Sequence, residues 1–224
     1  LGSSYKNFKT GSCEYSDMSV FSFHPVKHIT TGEGGMITTN NEELYKKLLL
    51  LRTHGITKNK DYLENKNEGP WYYEMQELGF NYRITDFQCA LGINQLSRLD
   101  EFVEKRKEIA KKYDGVFKNN KHIELLNFGE DTDNSYHLYV IKVKDENIRL
   151  DLFNYFKENK VFCQIHYIPV HLQPYYKKKF GYQEGDMPKA EDFYKQIISL
   201  PMYPDLQDDE QKKVIQLIGD FFER

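Results

Sequence analysis

Between Phe87 and Phe117 the apolar residues Phe87, Leu91, Ile93, Leu96, Leu99, Phe102, Val103, Ile109, Tyr113 and Phe117 recur mostly at three- and four-residue steps. Side chains at that spacing share one face of a helix, so the stretch predicts one long amphipathic helix or two abutting ones, with the stripe facing a core. Thr85 followed by Gln88 fits a capping box at its start. A helix of this length divides the chain into residues 1–84, a connecting helix over 85–118, and residues 119–224.

The flanking segments predict an α/β protein. Met18 to Phe23 alternates apolar and small polar residues, as a strand does, and Gly35 to Thr39 reads as the returning strand. Asn40 or Asn41 followed by Glu42 and Glu43 starts a helix that continues to about Arg52. Thr53 to Pro70 is polar and unpatterned, which predicts a long exposed loop. Beyond the Gly/Asp/Asn-rich gap at 129–134 the pattern predicts strands over Tyr136–Val143 and Val161–His166, with a helix over Arg149–Asn159 between them. Two more helices are expected, near Ala190–Ile198 and Asp208–Phe222.

Composition removes several function classes. The chain has 224 residues, 39% hydrophobic and 29% charged, as expected of a globular protein with a sizeable core. With 31 basic against 34 acidic side chains there is no electrostatic footprint for nucleic acid or an anionic membrane. The longest apolar run, Leu48 to Leu51, is far short of a span, so neither membrane nor nucleic acid is an expected partner. Cys13, Cys89 and Cys163 are widely spaced and lack metal-ligand spacing, which predicts reduced thiols, a cytoplasmic location and no metal site.

The chemistry concentrates at Ser22-Phe23-His24-Pro25-Val26-Lys27, followed closely by Thr31-Gly32-Glu33-Gly34-Gly35. A lysine at the end of a short turn, partly withdrawn from water, is the residue type that condenses with an aldehyde. The glycines serve the backbone more than binding, since they permit positive φ and close approach. Two further segments carry reactive or polar side chains: Gly79-Phe80-Asn81-Tyr82-Arg83, just before the long helix, and Ile165-His166-Tyr167-Ile168-Pro169-Val170-His171 at an expected strand end.

These three segments together resemble the pyridoxal-phosphate-dependent sugar aminotransferases of the DegT/DnrJ/EryC1/StrS family, and the resemblance runs the length of the chain. It implies an α/β fold of the aspartate-aminotransferase type, fold-type I, with a smaller C-terminal α/β domain. Residues 1–84 would then be a remnant of the large cofactor-binding domain. Leu1-Gly2-Ser3 would follow the family's Asp-x-x-His-Ala pattern, whose aspartate holds the ring nitrogen, so the chain is expected to be the C-terminal part of a longer enzyme.

The resemblance also implies roles. Lys27 would carry pyridoxal 5'-phosphate and act as base and acid, Ser22 would give its hydroxyl to the cofactor phosphate, and Asn81 would reach the phosphate of the neighbouring subunit in a homodimer with a shared site. Trp71, Tyr72 and Tyr73 would lie either on a flap over the nucleotide sugar or in interface packing. His166, Tyr167 and His171 would lie near the sugar and its diphosphate. His24 is expected to pack, and Glu33 either orients a nearby group or is a solvated turn residue. The implied reaction moves an amino group from glutamate to C4 of a UDP-linked 4-keto-6-deoxy sugar, as in pseudaminic acid biosynthesis. The alternatives are a sugar dehydratase of the same fold, against which Lys27 speaks, and an inactive fragment or binding paralogue.

Overall fold

The computed structural model describes residues 1–223. They divide into two compact units, Leu1–Leu99 and the remainder from Asp100 onward. The boundary falls inside the stretch expected as the connecting helix.

The first unit opens with a hairpin of β1 (Ser4–Tyr5) and β2 (Phe8–Lys9), turned through Lys6 and Asn7, which both have positive φ. Consecutive left-handed residues give the turn whose twist matches the strands it joins. Strands β3 (Ser19–Ser22) and β4 (Gly35–Thr38) pair antiparallel from Ser19↔Thr38 to Ser22↔Gly35, and the segment between them carries Lys27. Helix α1 (Glu42–Leu51) begins at Asn41, whose side-chain oxygen accepts the N–H groups of Glu43 (2.9 Å) and Leu44 (3.1 Å). The cap therefore serves two of the donors a helix start leaves free.

After α1 the expected long loop is not wholly irregular. Ile56–Thr57 (β5) pairs antiparallel with Glu74–Met75 (β6), and the Glu74 carboxylate gathers the segment between them by accepting the N–H groups of Glu64 and Asn65, each at 2.8 Å. A two-residue strand is too short to show a period, which is why the sequence pattern missed it. Helix α2 (Asp86–Ser97) follows, then α3 (Leu99–Phe117), so the amphipathic stretch is two abutting helices separated at Arg98.

The expectation of a continuous core stripe is corrected by the structure. Phe102, Val103, Ile109, Tyr113 and Phe117 on α3 are buried, but Phe87, Leu91, Ile93 and Leu96 on α2 are all exposed, Phe87 at 77% and Ile93 at 70%. Spacing puts side chains on one face of a helix; whether that face meets a core depends on what packs there.

In the second unit, β7 (Ile123–Leu125), β9 (Tyr139–Val143) and β10 (Ile197–Leu200) form an antiparallel sheet with β9 central, Ile123 opposite Val143 and Leu200 opposite Tyr139. Between β7 and β9 lies the short β8 (Thr132–Asp133). Helix α4 (Arg149–Glu158) buries Leu152 and Phe156; α5 (Pro174–Phe180), α6 (Pro188–Gln196) and α7 (Asp208–Phe222) follow, with α7 burying Val214, Leu217 and Ile218. These side chains join Tyr113, Phe117, Ile141 and Ile198 in one apolar cluster. Arg106 is buried among them, its guanidinium donating to the carbonyls of Tyr136, His137 and Met202.

Three further expectations change here. Val161–His166 is not a strand but touches the sheet at one bridge, Gln164 to Ser199. The helix expected to reach Ile198 ends at Gln196, and Ile197–Leu200 is a fully buried strand; the β-branched Ile197-Ile198 pair favours it once the sheet is there to receive it. Helix α5, which no expectation covered, carries its own local signals: Pro174 at the first turn and Gly181 as a left-handed cap.

Candidate active site

The segment joining β3 to β4 is a closed loop with Lys27 near its tip. At its base the Phe23 N–H donates to the Gly34 carbonyl (2.9 Å), and the Phe23 carbonyl accepts the Thr31 N–H and the Thr30 hydroxyl, both at 3.0 Å. Phe23, Ile29 and Thr31 are buried and pin the loop from beneath. The Lys27 N–H donates to the His24 carbonyl (3.0 Å), a tight turn that sets the lysine at a fixed place on the loop. Lys27 itself is half-buried, and among the described residues no carboxylate pairs with its ammonium. An amine that is partly desolvated and not committed to an ion pair is suited to condensing with an aldehyde.

Ser22 ends β3 and is exposed; its oxygen accepts the His24 N–H at 3.4 Å, leaving the hydroxyl proton available for an anion. A hydroxyl beside backbone N–H groups is a fitting donor to a phosphate. His24 does not pack as expected: it is exposed, with Nε2 3.9 Å from a Glu33 carboxylate oxygen. Asn81 forms an isolated bridge with Thr53, flanked by bonds from the Tyr82 N–H to the Arg52 carbonyl (2.9 Å) and from the His54 N–H to the Phe80 carbonyl (2.7 Å). The end of α1 thus holds Asn81, whose side chain is exposed. Trp71 and Tyr73 are exposed, while the Tyr72 hydroxyl donates to Glu74 (3.0 Å), a bond that raises the pKa of the phenol. A groove of about 630 Å³ lies between α1 and the β5–β6 pair, and none of Lys27, Ser22 and Asn81 lines it.

The other candidate segment belongs to the second unit. His166 Nδ1 lies 2.8 Å from the hydroxyl of the buried Ser199 on β10, so the sheet orients the ring, and the exposed Tyr167 stands edge-on to it at 4.6 Å. His171 differs: only 7% exposed, it places Nε2 2.8 Å from a Glu191 carboxylate oxygen. Glu191 also accepts the N–H groups of Gly185 (2.8 Å) and Met187 (3.1 Å). The His171 bond first, and these backbone bonds next, hold the Glu191 carboxyl below the usual carboxylate range.

Sequence reasoning found neither Glu191 nor the second use of Gln88. The latter residue was legible as a cap, and its Oε1 does accept the Thr85 N–H (3.1 Å) and hydroxyl (2.8 Å). No local signal marks the bond that its amide nitrogen makes to the Glu33 carbonyl, far back in the chain.

The molecule has the mixed α/β fold of the fold-type I pyridoxal-phosphate aminotransferases. The chain belongs to the DegT/DnrJ/EryC1/StrS aminotransferase family, which matches residues 1–219. Among its relatives is the UDP-4-amino-4,6-dideoxy-N-acetyl-beta-L-altrosamine transaminase of Campylobacter jejuni, 39% identical over 226 residues, covering 100% of this chain and 57% of the relative. The structure of Helicobacter pylori PseC, an aminotransferase involved in the biosynthesis of pseudoaminic acid, superposes with a TM-score of 0.89 at 32% identity, covering 100% of this chain and 57% of that one. Spr1654 of Streptococcus pneumoniae, solved in PLP and PMP forms, gives 0.88 at 31% identity, with 100% and 55% covered. The chain spans a little over half the length of the relatives it matches.

Proposed function

We propose that this chain carries the cofactor lysine of a pyridoxal-phosphate-dependent aminotransferase that moves an amino group from glutamate to C4 of a UDP-linked 4-keto-6-deoxy sugar. The observation that carries the proposal is Lys27, a half-buried amine without an ion-pair partner among the described residues, on a loop closed by backbone hydrogen bonds. The transaminase activity of the Campylobacter relative and the PLP and PMP forms of Spr1654 support the substrate class and the cofactor.

When bound, pyridoxal phosphate supplies the electron sink that makes a C–H bond beside nitrogen breakable. The rest is assigned to this chain's side chains. Lys27 Nζ would hold the cofactor and would move a proton between carbon atoms as general base and then acid. Ser22 donates its hydroxyl to the phosphate. Asn81 serves the phosphate of a neighbouring subunit, which makes the working unit a homodimer; the exposed Phe87 and Ile93 on α2 support a surface that another chain covers. His166, oriented by Ser199, and Tyr167 meet the sugar nucleotide. His171, whose Nε2 is engaged by Glu191, holds the shape of that segment. The three free thiols support a cytoplasmic site of action.

The test uses Lys27→Ala and Asn81→Ala in the holoenzyme. Lys27→Ala should abolish transamination and the visible absorbance of the lysine-bound cofactor while leaving the melting temperature near that of the parent. Mixed dimers of the two variants should recover one intact site each. Retained turnover in Lys27→Ala refutes the assignment of the lysine, and equal loss in mixed and parental dimers refutes the shared site.

A further inference from the structure

Gln88 ties the first turn of α2 to the loop that bears Lys27. One end of its side-chain amide, Oε1, accepts the N–H and the hydroxyl of Thr85; the other end, Nε2, donates to the Glu33 carbonyl at 3.1 Å. That same carbonyl accepts the hydroxyl of Thr31 at 2.7 Å, and Thr31 is 3% exposed. Thr31 and Gly34 are the residues that close the loop onto Phe23. The bond from Gln88 therefore lands on the base of the lysine loop, not on its tip.

The same loop base packs closely at two glycines. A Cβ on Gly92 of α2 would stand 2.8 Å from the Thr31 methyl, and one on Gly34 would stand 2.4 Å from the Thr31 hydroxyl and 2.9 Å from Ile84 Cδ1. Gly92 thus brings α2 against the Thr31 side chain, and Gly34, at φ +152°, holds a backbone conformation that side chains rarely adopt.

We propose that Gln88 is a positioning residue for Lys27: by binding the Glu33 carbonyl while capping α2, it fixes the base of the loop that presents Nζ. The inference rests on Lys27 being the cofactor lysine. A primary amide is the chemistry required. A glutamate can accept from Thr85 but cannot donate to Glu33, and a lysine could donate but not cap.

That difference separates positioning from capping. Gln88→Glu keeps the cap and adds a negative charge in the first turn, where the helix favours it, so a purely structural role predicts a parental or more stable protein. It also sets a carboxylate against the Glu33 carbonyl in place of a donor. Three measurements on the holoenzyme and its cofactor-stripped form decide the matter: melting temperature, amide hydrogen exchange at Phe23 and Thr31 without cofactor, and the cofactor concentration giving half of the lysine-bound visible band. In Gln88→Glu the melting temperature should hold, exchange at both amides should speed up about fivefold, and the cofactor concentration should rise by about the same factor. Gln88→Ala should show the same changes together with a lower melting temperature. Parental exchange or a parental cofactor titration in Gln88→Glu overturns the proposal and assigns Gln88 to the cap alone. A visible band that survives Lys27→Ala would instead refute the assignment of the lysine, and the exchange result would still report whether Gln88 holds the loop.

Discussion

Within residues 100–223 the core is built from large apolar side chains with no exposure to speak of: Tyr113, Phe117, Ile141, Leu152, Phe156, Ile198 and Ile218. Within residues 1–99 the buried apolar side chains among the described residues are Phe23, Ile29 and Leu63, while Val20, Trp71, Leu78, Phe87 and Ile93 stand exposed. The first unit is shaped by hydrogen bonds instead: the Asn41 cap, the Phe23 loop closure, the Glu74 carboxylate and the Gln88 amide. Apolar burial is the dominant favourable term in folding, and a net hydrogen bond adds only about 0.5–1.5 kcal/mol. The unit that carries Lys27 is thus defined in geometry but weak in stability of its own, and the unit without the lysine is the one with a self-sufficient core.

The sharpest way to break this contrast is to separate the units. A polypeptide of residues 100–224 should melt cooperatively, whereas one of residues 1–99 should show no cooperative transition by calorimetry. A cooperative melt of the first unit alone would mean that its hydrogen bonds suffice and that the contrast is false.

Point substitutions should show the same asymmetry on a smaller scale. Phe156→Ala empties a fully buried site and should cost about 3–5 kcal/mol, whereas Val20→Ser, at a side chain 76% exposed, should stay within about 0.5 kcal/mol by denaturant titration. Comparable losses at the two positions would show that Val20 is covered in the working protein, and would locate the covered face.

The smallest expected effect is the share of the pH dependence that Glu191 contributes in the second unit. Glu191 has a lowered pKa in the folded chain, so its contribution is present above the usual carboxylate range and is lost as pH falls through the folded value. Melting temperature should therefore decline on acidification below about pH 4, and Glu191→Gln should flatten that decline. An unchanged slope in the variant would remove Glu191 as the source.

What was legible in the sequence follows the range of the interactions. Helices α1 and α7, the β3–β4 pair and the α2–α3 stretch were readable because caps and periodicity act within a few residues, as the Asn41 and Thr85–Gln88 starts demonstrate. Lys27, Ser22 and Asn81 were visible as parts of short motifs for the same reason. The exposure of the α2 stripe was not, because a period names a face without naming its neighbour.

The sequence alone therefore determined the local chemistry: a lysine at the end of a short turn, the glycines behind it, and an amphipathic stretch with a marked start. Only the tertiary structure decided that Ile197–Leu200 would be a strand, since β10 exists by pairing with β9, itself far away in the chain. It alone committed His171 to Glu191 and the Gln88 amide to the Glu33 carbonyl. A side chain's first partner is set by spacing along the backbone; its second is set by which segment the fold brings against it.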